Sequence, residues 1–223
     1  MVYQKLPAVA RVLGMDSLRE QVVAQLRESI LSGALPAGTK LRERAISEQL
    51  GVSRVPVREA LMVLEAELLV EIVPRSGAVV TTLTRDEVQE LFEVREVLEP
   101  LAARLAARHR TAADLEALGE RCSAAHEAIH AGDDRAGASA NADFHALLAG
   151  ASGSGLLVSI MAPLQRRMER LFRRTIRGRA VELAEDHERL VEALRRRDEA
   201  SAALLAQLHV TQTRAPSLAL FED

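Results

Sequence analysis

The chain has 223 residues, of which 29 are Lys or Arg, 32 are Asp or Glu and 2% are aromatic. This length allows one large or two modest domains with a real core, and the abundance of Ala, Leu, Arg and Glu is typical of a mainly α protein. The net charge of −3 excludes nucleic-acid binding through bulk positive charge, so such binding must depend on locally placed arginines. The lack of a long apolar run, of a signal-peptide pattern and of a second cysteine beside Cys122 predicts a cytoplasmic protein with no membrane partner.

The first third of the chain carries start and stop signals for short elements. Apolar residues at helical spacing predict a helix over 18–32, with Ser17 as its cap. Further helices are predicted over 43–50 and 54–68, and two strands follow around a Pro-Arg-Ser-Gly turn. The order helix, helix, turn, helix and β-hairpin predicts a winged helix-turn-helix, which we place at 15–82.

From Thr84 onward the apolar residues keep helical spacing, and no strand pattern appears. Breaks at Thr111, at the AGDD turn, at GASGSG and at Arg197 divide this part into about six predicted helices. The sequence therefore predicts an all-α bundle over 88–212, with a loose tail after Thr213.

The stretch GVSRVPVREAL concentrates arginine at the start of the third predicted helix. Arg54 and Arg58 lie four residues apart and therefore share a face. The first residues of the second helix in a helix-turn-helix meet base edges, and arginine pairs with guanine or binds phosphate. The hydroxyl of Ser53 and the first N–H groups of the helix can hold a phosphate. Further candidates in the preceding helix and at the wing tip are Arg44, Arg75 and Gly77.

The alternative is a solvated helix face on which Arg58 pairs with Glu43 or Glu59. The glycine turn, the helix cap and the wing around the arginines favour DNA binding over this alternative. Leu68 is expected to face the core, together with the other leucines of the helix.

Histidines on the apolar faces of three predicted helices are the second notable pattern. Asn141 and His145 lie four residues apart on one helix, and His187 and His209 lie on two others. If they converge in the bundle core, imidazoles suit zinc, nickel or copper. The alternative is three ordinary core histidines with satisfied hydrogen bonds, and the residues alone leave both interpretations open.

The segment HEAIH matches the zinc-protease motif, with His126 and His130 as ligands and Glu127 as base. The core stripe runs through Ala125 and Ile129, however, and no glutamate follows Glu127 until Glu169. A zinc metallohydrolase is therefore a weak alternative. A structural DNA-binding protein without an effector is another, although three buried histidines with no task would cost stability.

The run LPAGTKLRERAISEQLGVSRVPVREALMVLEAELLV resembles the DNA-binding domain of GntR-type bacterial transcription regulators, and SR-x-PVREAL is a specific signature of it. The family usually has glycine where Leu68 stands, so Leu68 must either avoid or strain into a left-handed conformation, and we expect the helix to run on slightly. The residues that the resemblance implies at the DNA are Arg44, Arg54 and Arg58, assisted by Ser53, Val55 and the wing around Gly77.

The helical part resembles the FCD effector domain of the FadR branch, in its metal-binding, VanR-like form, through EVREVLEPLAARLA, N-x-x-x-H, EDHERLVEALRRRD and the last helix. The resemblance implies a divalent metal, zinc or nickel, held by Asn141, His145, His187 and His209. Asn141 replaces the commoner aspartate and leaves four neutral ligands with no compensating charge, which predicts weaker metal binding and a stronger attraction for an anion. Arg95 is a candidate second anchor for a small carboxylate effector, or else part of an interhelical ion pair.

Taken together, the sequence predicts a homodimeric repressor that binds operator DNA and responds to a small organic acid. It is not expected to be an enzyme.

Overall fold

The computed structural model describes residues 17–175 and 180–221. The chain divides between Thr82 and Leu83 into an N-terminal unit and a helical unit. In the described ranges no helix is both long enough and apolar enough to pass through a membrane. The N-terminal residues considered for a signal peptide lie outside the described residues.

The N-terminal unit contains three helices and a small sheet. A capping box of Ser17 and Glu20 begins the first helix, as predicted. The three strands form an antiparallel sheet with the last strand of the chain in the middle, and Val70 of the second strand pairs with Val80 of the last. The prediction of a winged helix-turn-helix is confirmed. The elements are α1 (Leu18–Leu31), β1 (Lys40–Leu41), α2 (Glu43–Leu50), α3 (Arg54–Ala66), β2 (Val70–Val73) and β3 (Gly77–Val80).

The strand β1 was not predicted, because two residues are too short to show an alternating pattern. Lys40 and Leu41 become a strand only by pairing with β3, a partner almost forty residues away. The core of this unit lies between α1, α3 and the sheet, where Leu26, Val57 and Leu64 are fully buried. This packing fixes α3 next to the β2–β3 hairpin and leaves a groove between them.

The end of α3 differs from the prediction. The helix stops at Ala66, and Leu68 takes a left-handed φ of 58° with its side chain 41% exposed. The N–H of Leu68 donates to the carbonyl of Glu65 at 2.9 Å, and that of Leu69 donates to Leu64 at 3.0 Å. These two bonds make a Schellman motif in which Leu68 occupies the position that favours glycine. The expectations that Leu68 faces inward and that the helix runs on are therefore wrong, because the motif's hydrogen bonds and buried Leu69 hold the turn.

The helical unit contains six helices in the described residues, which confirms the predicted bundle. Four of them begin at side-chain caps, with capping boxes at Thr84 and Thr111 and caps at Asp133 and Asp198. The helices are α4 (Arg85–His109), α5 (Ala112–Ala131), α6 (Asp134–Ala151), α7 (Gly155–Thr175), α8 (Ala180–Arg195) and α9 (Glu199–Leu218), followed by a 3-10 turn at Ala219–Phe221.

The tail after Thr213 is helical rather than loose. The buried hydroxyls of Thr213 and Ser217 donate to carbonyls one turn earlier in α9, and Leu218 and Phe221 pack against the cluster around Phe92. Burial of these apolar side chains stabilises two further turns that the sequence pattern did not predict.

Helix α4 lies at the centre of the bundle and packs against α6, α7, α8 and α9. The C-terminal half of its buried face is formed by Ala102, Ala103, Ala106 and Ala107, none of which is exposed. Small side chains allow the neighbouring helices to approach α4 closely. One turn before this alanine face, the helices surround a polar cluster that contains the predicted histidines.

Candidate DNA-binding surface and candidate metal centre

A groove between α3 and the β2–β3 hairpin collects most of the predicted DNA-binding residues. Its lining includes two carboxylates, Glu43 and Glu65, against six basic side chains. The groove therefore carries a surplus of four positive charges in a unit whose residues 17–80 have equal numbers of acidic and basic side chains. The basic residues are Lys40, Arg42, Arg44, Arg54, Arg58 and Arg75.

The two arginines of α3 share one carboxylate. Glu43 accepts hydrogen bonds from Nε and Nη2 of Arg58, both at 2.9 Å, and from Nη2 of Arg54 at 3.0 Å. The hydrogen bond from Arg58 is the main cause that lowers the pKa of Glu43 to about 2. The ion pair considered as an alternative is thus present, with Glu43 as its acid. Both arginine side chains nevertheless remain more than 60% exposed, so pairing does not remove them from the surface.

The other predicted residues of this surface are exposed to different degrees. Ser53 is the N-cap of α3, but its hydroxyl makes no capping hydrogen bond. Val55 is exposed beside Arg54, and Arg44 is exposed and pairs with Glu48 at 2.8 Å. The helix start therefore presents a hydroxyl, an apolar side chain and arginines to the solvent.

Gly77 was expected at the wing tip, but it lies at the start of β3, against the backbone of Leu41. It has a φ of 97° at the start of β3, and a Cβ there would overlap the carbonyl oxygen of Leu41. Glycine is needed at this position to bring β1 against β3. Arg75, with a φ of 65°, is exposed at the wing tip together with Pro74 and Ser76.

Lys40 and Arg42 line the groove but were missed in the sequence. Lys40 is on β1 and Arg42 is the N-cap of α2, but the backbone of Arg42 is still extended, so the two side chains flank buried Leu41 and point to the same face. The spacing of Lys, buried Leu and Arg was the signal that could have identified them.

His145 on α6, His187 on α8 and His209 on α9 come together in the bundle. Each residue offers a ligand nitrogen, and these three nitrogens lie within 4.8 Å of one another. The Nε2 atoms of all three are buried and have no hydrogen-bond partner among the described residues. A buried polar atom without a partner costs about 1–3 kcal/mol, so this arrangement disfavours the alternative of ordinary satisfied core histidines.

Asn141 lies one turn before His145 and is also buried. Neither Oδ1 nor Nδ2 of its amide has a hydrogen-bond partner within the described ranges. Asn141 borders one cavity with His145 and a second, smaller one with His187. Its amide oxygen is thus available as a fourth ligand beside the imidazoles.

Two carboxylates lie behind the histidines, which corrects the expectation that the site lacks compensating charge. Oε2 of Glu99 is 3.3 Å from Nδ1 of His145, and Oδ2 of Asp186 is 3.6 Å from Nδ1 of His209. His187 instead stacks on Phe144, with ring centroids 3.8 Å apart. Sequence reasoning missed both acids, because they are brought to the site by helix packing.

The protonation of the histidines suits metal binding. Burial is the main cause that lowers the pKa of His145 and of His187 well below the ordinary value of 6.5, and neighbouring His209 and Arg95 lower both further. Metal ligation requires the neutral imidazole. These two side chains are therefore in the ligand form at neutral pH.

The cavity next to the histidines lies between α4, α6 and α7 and has a volume of about 20 Å³, room for about one water molecule, so a larger ligand requires its walls to move apart. Arg95 is buried in its wall with its guanidinium carbon 5.0 Å from the ring centre of Phe92 and 5.3 Å from that of Phe172. Its Nε donates to Glu99 at 2.5 Å, and its Nη1 has no partner among the described residues. The ion pair of Arg95 lies within α4 and not between helices, because Glu99 is one turn further along the same helix.

The chain matches known proteins over both units. Residues 18–80 match the family described as "Bacterial regulatory proteins, gntR family", and residues 90–212 match the "FCD domain". The HTH-type transcriptional regulator LutR of Bacillus subtilis is 30% identical over 217 residues, which are 87% of this chain and 98% of LutR. The chain is a GntR-family transcription regulator with an FCD domain.

Two further proteins agree with this assignment. The solved structure of E. coli McbR/YncC has a TM-score of 0.81 and 26% identity, covering 93% of this chain and 100% of that one. The gluconate operon transcriptional repressor of Bacillus subtilis is 41% identical over 90 residues, 40% of this chain and 37% of the repressor. The resemblance to GntR regulators of the FadR branch is confirmed.

This GntR-family regulator is not an enzyme, and the zinc metallohydrolase alternative is wrong. The motif HEAIH lies on α5, where His130 and Glu127 are exposed. Nε2 of His126 is 2.9 Å from a carboxylate oxygen of Glu188. In the part of the chain that the structure describes, these histidines are not in the cluster that could hold a metal. The motif arises from a helix that places its polar residues on the outer side.

Proposed function

We propose that the regulator is a homodimeric, cytoplasmic repressor that senses a small carboxylate through a divalent metal in its helical unit. Residues 15–82 form the DNA-binding domain in this proposal, and residues 88–212 form the effector-binding and dimerisation domain. The observation that carries it is the set of unpartnered buried atoms on Asn141, His145, His187 and His209 next to a cavity that contains Arg95.

The residues of the cluster fit a divalent ion such as zinc or nickel. Three imidazoles and one amide oxygen are suitable donors, and Nε2 of each histidine and the Asn141 amide have no other partner among the described residues. A bound ion would supply positive charge and open positions for a carboxylate. Asn141, His145, His187 and His209 are the residues that would hold it.

The charges of the cavity explain why an anion would need the ion. Arg95 is the one basic residue of the lining, against the carboxylates of Glu99 and Glu169. This lining does not favour an anion by itself, and two added positive charges would reverse its balance. Arg95, with its free Nη1, is placed to bind a second oxygen of the carboxylate.

Operator recognition is assigned to the groove of the N-terminal unit. Arg54 and Arg58 would contact base edges in the major groove. Ser53, Val55 and the wing around Gly77 assist, and Arg44 and Arg75 contact phosphates. The positive surplus of the groove and the exposure of α3 support this assignment.

Dimerisation of the helical unit would bring two such surfaces to a two-fold symmetric site. Exposed apolar side chains on helices of this unit support it, since a second copy would cover them. They include Val94 and Val97 on α4, Leu156 and Ile160 on α7, and Leu204 and Leu208 on α9.

Effector binding would shift the population between two arrangements of the dimer and lower operator affinity. Helix α4 is the route along the chain, because it carries Arg95 and Glu99 in the cavity wall and begins at Arg85, three residues after the N-terminal unit ends.

Metal content and DNA binding test the proposal together. Untagged protein is expected to contain about one zinc or nickel ion per chain by elemental mass spectrometry, and His145→Ala is expected to lose it. The variant His126→Ala changes a histidine outside the cluster and should keep the metal.

DNA binding is measured with sites that the wild-type protein selects from a random pool. Arg58→Ala should lose binding to these sites. His187→Ala should still bind them, but its affinity should not change with metal or carboxylates. A normal response of His187→Ala would contradict the metal-coupled mechanism, and a regulator indifferent to every metal and carboxylate would support the effector-independent alternative.

A further inference from the structure

Glu99 occupies an unusual position between two functional side chains. It is 3% exposed and lies on α4, with Oε1 2.5 Å from Nε of Arg95 and Oε2 3.3 Å from Nδ1 of His145. One carboxylate therefore touches both the metal cluster and the basic residue of the cavity. Its buried negative charge lies next to a ligand set in which Asn141 provides no charge of its own.

A dication held by neutral ligands in a buried site lacks charge compensation. Removing an ion from water is costly unless an opposite charge lies close to it. A carboxylate that accepts the Nδ1 proton of a ligand histidine supplies such charge, fixes the tautomer with Nε2 free and makes the imidazole a stronger donor. Oε2 of Glu99 and Nδ1 of His145 are 3.3 Å apart but not aligned for a hydrogen bond, so a small rotation of the imidazole on metal binding would complete this contact.

Asp186 is the other acid near a ligand, but it is less well placed. Its Oδ2 lies 3.6 Å from Nδ1 of His209, and its Oδ1 pairs with exposed Arg189. The Asp186 side chain is also more exposed than that of Glu99, at 12% against 4%. Each acid has an arginine partner, Arg189 for Asp186 and Arg95 for Glu99, but solvent also screens Asp186, whereas Glu99 is enclosed by protein.

We propose that Glu99 provides the negative charge of the metal site, acting through His145. Asn141 is neutral and cannot provide this charge itself. Glu99 is a positioning residue in this proposal and not a ligand. The inference rests on the proposed metal function and adds the reason why the site tolerates Asn141. Because Glu99 also holds Arg95, the metal and the anion-binding ends of the cavity depend on the same carboxylate.

The test measures zinc and nickel affinity by competition with a chromophoric chelator, on full-length protein. The variants are Glu99→Gln, Asn141→Asp and the double variant. Glu99→Gln is expected to weaken metal binding about 10- to 100-fold, the usual loss for an outer partner of a ligand histidine. Asn141→Asp should tighten binding. In the Asn141→Asp background, Glu99→Gln should reduce metal affinity clearly less than in wild type, since the aspartate ligand then provides the charge.

Glu169→Gln is the matched control. Glu169 is a buried glutamate of the same cavity, and it pairs with Arg173 at 3.0 Å rather than with a histidine. Its substitution removes the same charge from the same cavity, and metal affinity should stay within a few-fold of wild type.

Arg95 requires a second comparison, because removal of Glu99 leaves a buried guanidinium without a counter-ion, which is destabilising. Arg95→Met and the double variant Arg95→Met, Glu99→Gln avoid this, since the second removes both charges. Arg95→Met alone should keep its metal, and the double variant should show the 10- to 100-fold loss.

The outcomes separate this inference from the proposed function. Absence of zinc and nickel binding in folded wild-type protein would overturn both. Tight binding in wild type with unchanged affinity in Glu99→Gln, or equal losses in Glu99→Gln and Glu169→Gln, would overturn the role of Glu99 and leave the metal site. If Glu99→Gln weakens metal affinity equally in the wild-type background and in the Asn141→Asp background, Glu99 does not compensate for the missing charge of Asn141.

Discussion

Glu43 binds Arg58 through both carboxylate oxygens, which accept hydrogen bonds of 2.9 Å from Nε and Nη2 of the guanidinium. The same carboxylate reaches Arg54, so one acid orients the two arginines of α3 toward the groove. A planar guanidinium held in this way has part of its conformational entropy removed before it meets a base. Glu43 also offsets one positive charge, which limits attraction to phosphates of any sequence.

Glu43→Gln is therefore expected to change specific and non-specific binding in opposite directions. Affinity for non-specific DNA should rise, with a slope of log K against log salt steeper by about 0.9, because a freed arginine neutralises a further phosphate. Preference for the selected site should fall by about tenfold, since the arginines are less well oriented. Fluorescence anisotropy over a range of salt concentrations measures both quantities.

Glu59→Gln provides the control for Glu43, because it removes the same charge from the exposed side of α3, whereas Glu43 is the carboxylate that binds both arginines. Its salt slope and site preference should stay close to wild type. Equal effects of the two substitutions would show that only net charge matters.

Buried neutral histidines predict how the metal-free protein responds to acid. Below about pH 6.5 the unfolded chain takes up protons on His145 and His187, whereas the folded chain does not, because their pKa values are lowered. Stability should thus fall as the pH falls from 7 to 5.5, by up to about 1.4 kcal/mol per pH unit for each histidine. Thermal unfolding followed by circular dichroism in the presence of a chelator tests the sign and the slope.

Two variants distinguish the buried histidines from the others in this pH series. His187→Gln should reduce the slope, although it also lowers stability by removing the stacking on Phe144. His126→Gln, whose ring is partly exposed on α5, should leave the slope unchanged. Stability that rises toward pH 5.5 would be inconsistent with the lowered pKa values.

Leu68 offers a prediction about the backbone. Leu68→Gly should stabilise the N-terminal unit by about 0.5–1 kcal/mol, because relief of about 1–2 kcal/mol of left-handed strain exceeds the added entropy of glycine in the unfolded chain. Leu68→Ala is the control, since it shortens the same half-exposed side chain but keeps the Cβ. Urea unfolding of both variants gives the comparison, and a lower stability for glycine than for alanine would exclude strain at this position.

Removal of the metal should also remove the response to carboxylates. With zinc present, small mono- and dicarboxylates are expected to raise the melting temperature of the helical unit. At a ligand concentration of a hundred times Kd, the free energy of unfolding should rise by about 2.7 kcal/mol. The shift should vanish in a chelator and in His145→Ala, and Arg95→Gln should reduce it. Arg75→Ala, in the wing, should respond like wild type. Stabilisation of equal size without metal would place the anion elsewhere.

Local signals allowed much of this architecture to be predicted. Ser17 with Glu20 and Gly51 after Leu50 mark helix ends through hydrogen bonds to neighbouring residues, so α1 and α2 were found within one residue of their bounds. The helical spacing of His145, His187 and His209 with apolar neighbours placed them correctly on inner faces, and the structure brings them together.

The features that were missed depend on contacts between distant residues. β1 exists only as a partner of β3, and the last turns of α9 are stabilised by packing near Phe92. Glu99 can be paired with Arg95 from their spacing on a helix, but its approach to His145 requires the relative position of α4 and α6. The sequence marked Leu68 as unusual, but its left-handed conformation depends on the hydrogen bond from Leu69 and on the hairpin that follows, which the local pattern does not reveal.

The alanine face of α4 gives the bundle a mechanical property. Methyl groups have no rotamers with which to absorb a displacement, and neighbouring helices lie directly against Ala102, Ala103 and Ala106. Pro100 removes a backbone hydrogen bond of α4 between the turn that bears Arg95 and Glu99 and this alanine face, so a movement of that turn is expected to bend the helix at the proline. A chemical event in the small cavity would then change the angle between the two parts of a 25-residue helix, while the alanine part stays fixed against its neighbours.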